Sequence, residues 1–391
     1  MDNKYQKGVS RNVILLGLVS FLNDLSSEMI IPILPMFIMA LGGTGFIVGL
    51  IGGLQTSISS ILKVLFGYWS DRIGRRKIFV SYGYLTSASF KLLLSFSTLW
   101  QHILVLTSFE RIGKGMRTAP RDAIIADSMP VARGKGFGIH RAFDTVGAIS
   151  GGIAAFIFLY VFGLCFSSII FIAAIVAFFG LIPLYRVKEK RREPQEIGLR
   201  IRLRELPKSF NSFMIVATIF AFSNFTYMFF ILKAMEVFTP IMPVKESTAI
   251  VVLLYVLSNF FYAVLAIPFG TLSDRIGIRK VLIFGYLLFS VVCIGFAFAD
   301  SLTAFLILFP LYGIVYAMVD GNQRAFVSDM STGNSRATAL GTFHTLIGII
   351  ALLSSLIAGY LWTITPAFPF LFASLLSIIA VILFAVLSFR D

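Results

Sequence analysis

Charge, cysteine and histidine are scarce in this sequence. Of its 391 residues only 13% are charged, two are cysteine and three are histidine. Cys165 and Cys293 sit inside separate apolar runs, with no spacing that suggests a metal site or a disulfide framework. Soluble globular chains run at roughly 25% charged and 45–50% apolar. Here the hydrophobic set reaches 58% and the mean hydropathy is +0.90. A soluble domain and a disordered chain are both excluded. The long apolar runs also exclude a membrane β-barrel, whose strands alternate. What remains is an all-α membrane protein. Reaction motifs are absent as well. There is no GxSxG elbow and no HExxH, and Gly113-Lys114-Gly115-Met116 does not complete a Walker loop. An enzyme, an ATP-driven pump, a resident metal and a cofactor are therefore not expected.

Acidic residues number 19 against 33 basic ones, a formal net charge of +14. In a soluble protein that balance would suggest nucleic acid. Position gives another reading. A spanning helix needs about 20 mostly apolar residues, and that ruler finds twelve. They run at 12–41, 45–69, 78–98, 102–125, 136–161, 166–186, 210–238, 247–272, 279–299, 302–327, 336–362 and 366–389. Spans one and seven are long enough to tilt or bend, and Pro32 and Pro35 can bend the first. The basic residues fall in alternate connections: the N-terminus, 70–77, 128–135, 186–208, 273–280, 330–336 and Arg390. The opposite connections have no Lys or Arg apart from Lys245. This positive-inside pattern places both termini and the long central connection in the cytoplasm, and no nucleic acid is needed to account for the charge.

The chain repeats itself. GYWSDRIGRRK at 67–77 recurs as GTLSDRIGIRK at 270–280, an offset of 270 − 67 = 203 residues. Arg133 matches Arg336 and Gly138 matches Gly341 at that offset. The expected organisation is an N-terminal six-helix bundle at 1–185, a basic linker at 186–208 and a parallel C-terminal six-helix bundle at 209–391.

With these residues in view, the chain resembles the major facilitator superfamily of secondary transporters over its whole length, including its drug:proton antiporter-like members. The family signature between helices two and three, G-x-x-x-D-R-x-G-R-R/K, is carried by Gly67, Asp71, Arg72, Gly74, Arg75 and Arg76. A second copy lies at Gly270, Asp274, Arg275, Gly277 and Arg279. Arg111-x-x-x-Gly115 looks like the helix-four motif of many proton-coupled members. GFGIHRAFDTVGAISGG at 136–152 is similar to the glycine-rich helix five of proton-driven exporters. GKGMRTAPRDA followed by RGKGFGIHRAFDT resembles a prokaryotic branch. The resemblance implies rocker-switch alternating access around a midplane cavity, and a latch formed by the repeated motif on the cytoplasmic side. It also implies a multi-pass protein of a prokaryotic inner membrane, working as a monomer.

An ionisable side chain at the bilayer centre costs roughly 2.5–3.5 kcal/mol on insertion scales, which makes each one a functional candidate. Asp24 and Glu28, beside Asn23, are spaced i,i+4 and share a helix face. Two carboxylates so placed repel, and one proton relieves the repulsion, which is the chemistry of a proton or cation site. Lys63 precedes Asp71 by eight residues, about 12 Å of helix. Lys91, Arg111, Lys114, His140, Arg141 and Asp144 complete the first-half set, and Arg141 and Asp144 can pair at i,i+3. At the 203 offset most of these become uncharged: Asp24 maps to Tyr227, Lys63 to Ala266 and Asp144 to Ile347. The second half keeps Asn224, Tyr227 and His344 as candidate cavity residues. The expected coupling set is Asp24, Glu28, Arg111 and Asp144. The expected substrate cavity is Asn23, Lys63, Lys91, His140, Arg141, Asn224, Tyr227 and His344. The expected activity is proton-coupled export of small amphiphilic, drug-like compounds. An anionic metabolite held by Lys63, Arg141 and Lys114, or a cation held by Asp24 and Glu28, is the alternative cargo. An intramembrane enzyme or a receptor-like protein is the alternative class.

Overall fold

A computed structural model describes residues 9–189, 208–331 and 336–387, and every regular element among them is a helix. Residues 1–8, most of the basic connection expected at 186–208, the 332–335 part of the later basic loop and Arg390 lie outside the described residues.

The helices fall where long apolar segments require them. α1 (Arg11–Ile30) and α2 (Leu34–Ala40) share the first expected span. α3 (Gly45–Ile73), α4 (Arg76–Leu94), α5 (Trp100–Ser128) and α6 (Arg133–Tyr160) match the next four. α7 (Phe166–Phe179) and α8 (Leu181–Tyr185) share the sixth. α9 (Lys208–Ser223) and α10 (Met228–Phe238) share the seventh. α11 (Val244–Ile276), α12 (Ile278–Phe298), α13 (Leu302–Asp329), α14 (Arg336–Ile364) and α15 (Phe368–Val386) follow in order. Ten of these segments are long and apolar enough to cross a membrane. α4 and α5 are long enough but not apolar enough: α4 carries several Ser, Tyr and Gly residues with Lys77 and Lys91, and α5 carries the charged cluster from Glu110 to Asp122.

Both bends expected from length are present, with different causes. The first lies at 31–33, where Pro32 has no N–H to donate to the helix. The second lies at 224–227 and needs no proline. There the freed Thr226 amide donates to Ser355 Oγ on α14 at 3.1 Å, so the unwound turn keeps its hydrogen bonds.

The chain forms two compact units: Met1–Ile33 with Ile58–Leu199, and Leu34–Ser57 with Arg200–Asp391. In the first, α1 lies against α6 and α4 against α5, each at backbone contact. A Cβ on Gly147 would stand 2.5 Å from the Phe21 carbonyl oxygen, and one on Gly151 only 2.3 Å from that of Leu25. Such close approach through small residues is how helices associate where lipid removes the hydrophobic drive. The second unit packs differently. Tyr286 and eleven phenylalanines from Phe210 to Phe370 make up the largest fully buried side chains, and all lie in this unit. Their rings stack or meet edge-on, as in Phe220 on Tyr286 at 3.8 Å and Phe230 on Phe296 at 4.8 Å.

Candidate functional site

In the first unit, the glycine seam between α1 and α6 brings two carboxylates from distant sequence into one field. Asp24 lies on α1 and Asp144 on α6. Asp144 is the largest charge acting on Asp24, followed by Lys114, Arg121 and Arg117 of α5. Asp144 thus joins the Asp24 and Glu28 expected from i,i+4 spacing as an acidic group of the α1–α6 seam. Glu28 packs at Gly151, whose added Cβ would stand 2.9 Å from the Glu28 Cβ. Asn23 is buried and donates to Asp24 Oδ1 at 3.2 Å. Asp144 pairs with His140, one turn earlier, at 3.4 Å between Nδ1 and Oδ2. The i,i+3 partner expected for it, Arg141, is exposed. His140 is only 4% exposed, and its Nε2 has no hydrogen-bond partner among the described residues. One ring nitrogen is thus oriented by Asp144, and the other is buried with no hydrogen-bond partner among these residues.

A second layer surrounds this pair. Lys91, 2% exposed, donates to Ser26 Oγ at 3.0 Å and Ser27 Oγ at 2.8 Å, tying α4 to α1. Glu110 and Arg111 form an ion pair at 3.1 Å. Arg117 donates to Ser87 Oγ at 2.5 Å and lies 4.5 Å from the centre of the Tyr84 ring. Arg121 bridges Asp122 at 2.9 Å and Ser20 Oγ at 3.2 Å. Lys63 is half-buried where α3 meets Gly115, whose Cβ would stand 2.7 Å from that of Leu62. The glycine of the Arg111-x-x-x-Gly115 motif therefore seats α5 on α3.

The repeated motif ends α3 and α11 in the same way. Gly74 and Gly277 take φ of 70° and 97°, a conformation that costs glycine nothing. Arg76 then reaches Asp71 at 2.6 Å and Asp127 at 2.7 Å, while its amide donates to Glu189. Lys77 donates to the carbonyls of Tyr185 and Val187 at 3.0 and 2.7 Å. In the second copy Arg279 takes over that capping role, with its guanidinium on the carbonyls of Phe384, Ala385 and Leu387. Gly67 packs on Ala119, while a Cβ on Gly270 would meet nothing. Arg72, Arg75, Asp274 and Arg275 are exposed. Arg76→Gln is expected to lower the thermal midpoint of the detergent-solubilised protein. The cost is held to about 2 kcal/mol because Asp71 and Asp127 keep 39% and 27% of their side-chain surface exposed. Arg76→Lys should recover only part, lacking the fork. An unchanged midpoint in both variants would mean that the bridge contributes nothing.

The second unit holds a cavity of about 310 Å³. Tyr227, Tyr255, Tyr262, Tyr312 and Tyr316 line it together with Asn259 and Asp320. Tyr316 donates to Asn224 Oδ1 at 3.0 Å, Tyr312 to the Tyr316 oxygen at 3.2 Å, and Tyr262 to Asp320 Oδ2 at 3.1 Å. Arg324 bonds the same carboxylate. Of the second-half candidates, Tyr227 lines this cavity and Asn224 is bonded to it. His344 is half-buried beside Phe343 and does not line it. Tyr255, Tyr312 and Tyr316 escaped the sequence reading. The signal for them was present: 255, 258, 259 and 262 recur at helical spacing on α11, and 312, 316 and 320 do so on α13.

Comparison with known proteins agrees with this architecture. The family profile of the Major Facilitator Superfamily matches residues 16–249 and 213–391. An uncharacterized MFS-type transporter of Methanocaldococcus jannaschii is 52% identical over 380 residues, covering 97% of this chain and 95% of that protein. Multidrug resistance protein 2 of Bacillus subtilis is 26% identical over 398 residues, covering 94% of this chain and 92% of its own. The crystal structure of the nucleoside transporter NupG shares the fold, with a TM-score of 0.79 at 14% identity over 96% of this chain and 97% of that one. The chain belongs to the Major Facilitator Superfamily and is a multi-pass membrane transporter of a small-molecule substrate, not an enzyme.

Proposed function

We propose that the protein is a proton-coupled exporter of small amphiphilic compounds. The observation that carries this reading is the Asp24 and Asp144 pair, with His140 oriented by Asp144 and its Nε2 buried without a partner among the described residues. Carboxylates and imidazoles are the side chains suited to carrying protons, and these three lie along one helix seam. Glu28 and Arg111 complete the coupling set, and Asn23, Lys63, Lys91 and Arg141 are the further polar candidates of the first unit. The multidrug relative in Bacillus subtilis supports an amphiphilic cargo. The tyrosine-lined cavity offers ring faces and hydroxyls to such a molecule, with Tyr227 in its wall and Asn224 bonded to Tyr316. The protein works by alternating access as a monomer in a prokaryotic inner membrane. Bundles 1–185 and 209–391 are joined by the linker 186–208, the termini face the cytoplasm, and the Arg76 bridge latches that side.

Purified protein in liposomes tests the reading. An imposed pH gradient is expected to drive ethidium across the bilayer, and its collapse by an uncoupler to stop the flux. Ethidium flux that ignores the pH gradient would remove the proton from the mechanism. Tyr316→Phe keeps the ring but loses the bond to Asn224. It is expected to weaken ethidium binding by about threefold to tenfold, the net worth of one hydrogen bond, as read by fluorescence titration. Unaltered binding would place the cargo elsewhere.

A further inference from the structure

A second cavity, of about 590 Å³, opens in the first unit where α1 begins and α8 ends. Its wall includes Ser10, Arg11, Asn12, Lys77, Arg186 and Lys188, four cations with no carboxylate among the lining residues. Neighbouring Glu189 is engaged elsewhere, accepting the backbone N–H of Arg76.

The wall is built rather than a chance gathering of loose side chains. Asn12 clamps the backbone of Lys188 in both directions: Nδ2 donates to its carbonyl at 2.7 Å, and its amide donates to Oδ1 at 3.0 Å. Lys77 is fixed by the carbonyls of Tyr185 and Val187. Ser10 makes no side-chain cap for α1. The first amides of the helix therefore lack an intrahelical acceptor and add partial positive charge to the same wall. Tyr185 also lines the cavity and is 86% exposed at the end of the apolar Phe166–Tyr185 segment. A tyrosine there sits where membrane meets water.

We infer that this cavity binds a phosphate ester, either a lipid phosphate headgroup or a soluble phosphate. The exposed Tyr185 at the end of a spanning segment favours the lipid. Such a ligand would tie the start of α1 to the end of α8 and so hold the first unit at its charged end.

The test uses the full chain in detergent micelles, with fluorescent phosphatidylglycerol as probe, fluorescent phosphatidylcholine as control and inorganic phosphate as the soluble arm. The variant Arg11→Gln/Arg186→Gln/Lys188→Gln changes only exposed side chains. It is expected to bind phosphatidylglycerol at least tenfold more weakly. Arg11→Lys/Arg186→Lys/Lys188→Arg should retain binding, and high salt should release the lipid from the unaltered protein. Inorganic phosphate that stabilises the protein with the same residue dependence, while neither lipid binds, assigns the cavity to a soluble phosphate. Equal binding by the neutral variant overturns the proposal, as does binding insensitive to salt or no binding by either phosphate source. If the neutral triple variant does not fold, the salt response and the three single substitutions decide on the same terms.

Discussion

Asp144→Asn is expected to abolish proton-driven transport while leaving downhill exchange of the cargo in place. The asparagine matches the carboxylate in size and still accepts a hydrogen bond from His140, so the α1–α6 seam is left intact. What it cannot do is take up and release a proton. In the unaltered protein Asp144 is the largest charge acting on Asp24, and His140 lies 3.4 Å from it. A proton on any member of the set changes the field at the others, and the proposed function uses that change to couple the proton to transport. Removing one carboxylate should lower gradient-driven flux at least tenfold, roughly 1.4 kcal/mol in the barrier. Asp24→Asn should do the same, because either change removes one proton-carrying carboxylate from the set. His140→Gln keeps a hydrogen bond to Asp144 but cannot relay, and should slow the flux without severing it from the pH gradient. Ethidium efflux from liposomes, with and without the gradient, separates these outcomes. Gradient-driven flux that survives in both asparagine variants would put coupling outside this pair.

The spans and the first bend were legible because each depends on local pattern. Twenty apolar residues form a helix in lipid wherever they occur, and Pro32 removes a helix donor from the first of them. The asymmetry of charge was legible for the same reason: comparing the halves at an offset of 203 strips the second half of its ionisable positions. Choices made by distant packing were not legible. Helical spacing allows Asp144 to meet Arg141 or His140 equally well. The His140 contact at 3.4 Å is set by how α6 packs, which spacing alone does not give. The unwound turn at 224–227 rests on Ser355, 129 residues from Thr226, and no local signal announces that bond. The pairing of Asp24 with Asp144 likewise depends on Gly147 and Gly151 letting two backbones touch, which sequence suggests only as a tendency.

Gly113→Val is expected to be among the most destabilising substitutions in the first unit. A Cβ on Gly113 would stand 2.6 Å from the Gly83 carbonyl oxygen and 2.8 Å from the Ser87 amide nitrogen. The contact is reciprocal: a Cβ on Gly83 would stand 2.7 Å from the Gly113 carbonyl oxygen and 2.9 Å from the Arg117 amide nitrogen. Both obstacles are backbone, so no rotamer change relieves them, and α4 and α5 must separate. Separation also pulls apart what the two helices hold between them. Arg117 would lose Ser87 Oγ at 2.5 Å and the Tyr84 ring face, and Ser87 would lose the Glu110 carbonyl at 3.1 Å. Overpacking together with an unsatisfied buried guanidinium amounts to about 3 kcal/mol or more. Gly113→Ala should show a smaller fraction of this loss. Gly138→Ala is the matched control, since a Cβ there meets nothing within 4 Å. It should leave stability equal or slightly raised, by up to about 1 kcal/mol from helix propensity. Thermal unfolding in detergent reads all three. A Gly113→Val protein that melts with the unaltered chain would mean that α4 and α5 stand further apart than backbone contact. The anchoring of Arg117 beside the carboxylate pair would then need another origin.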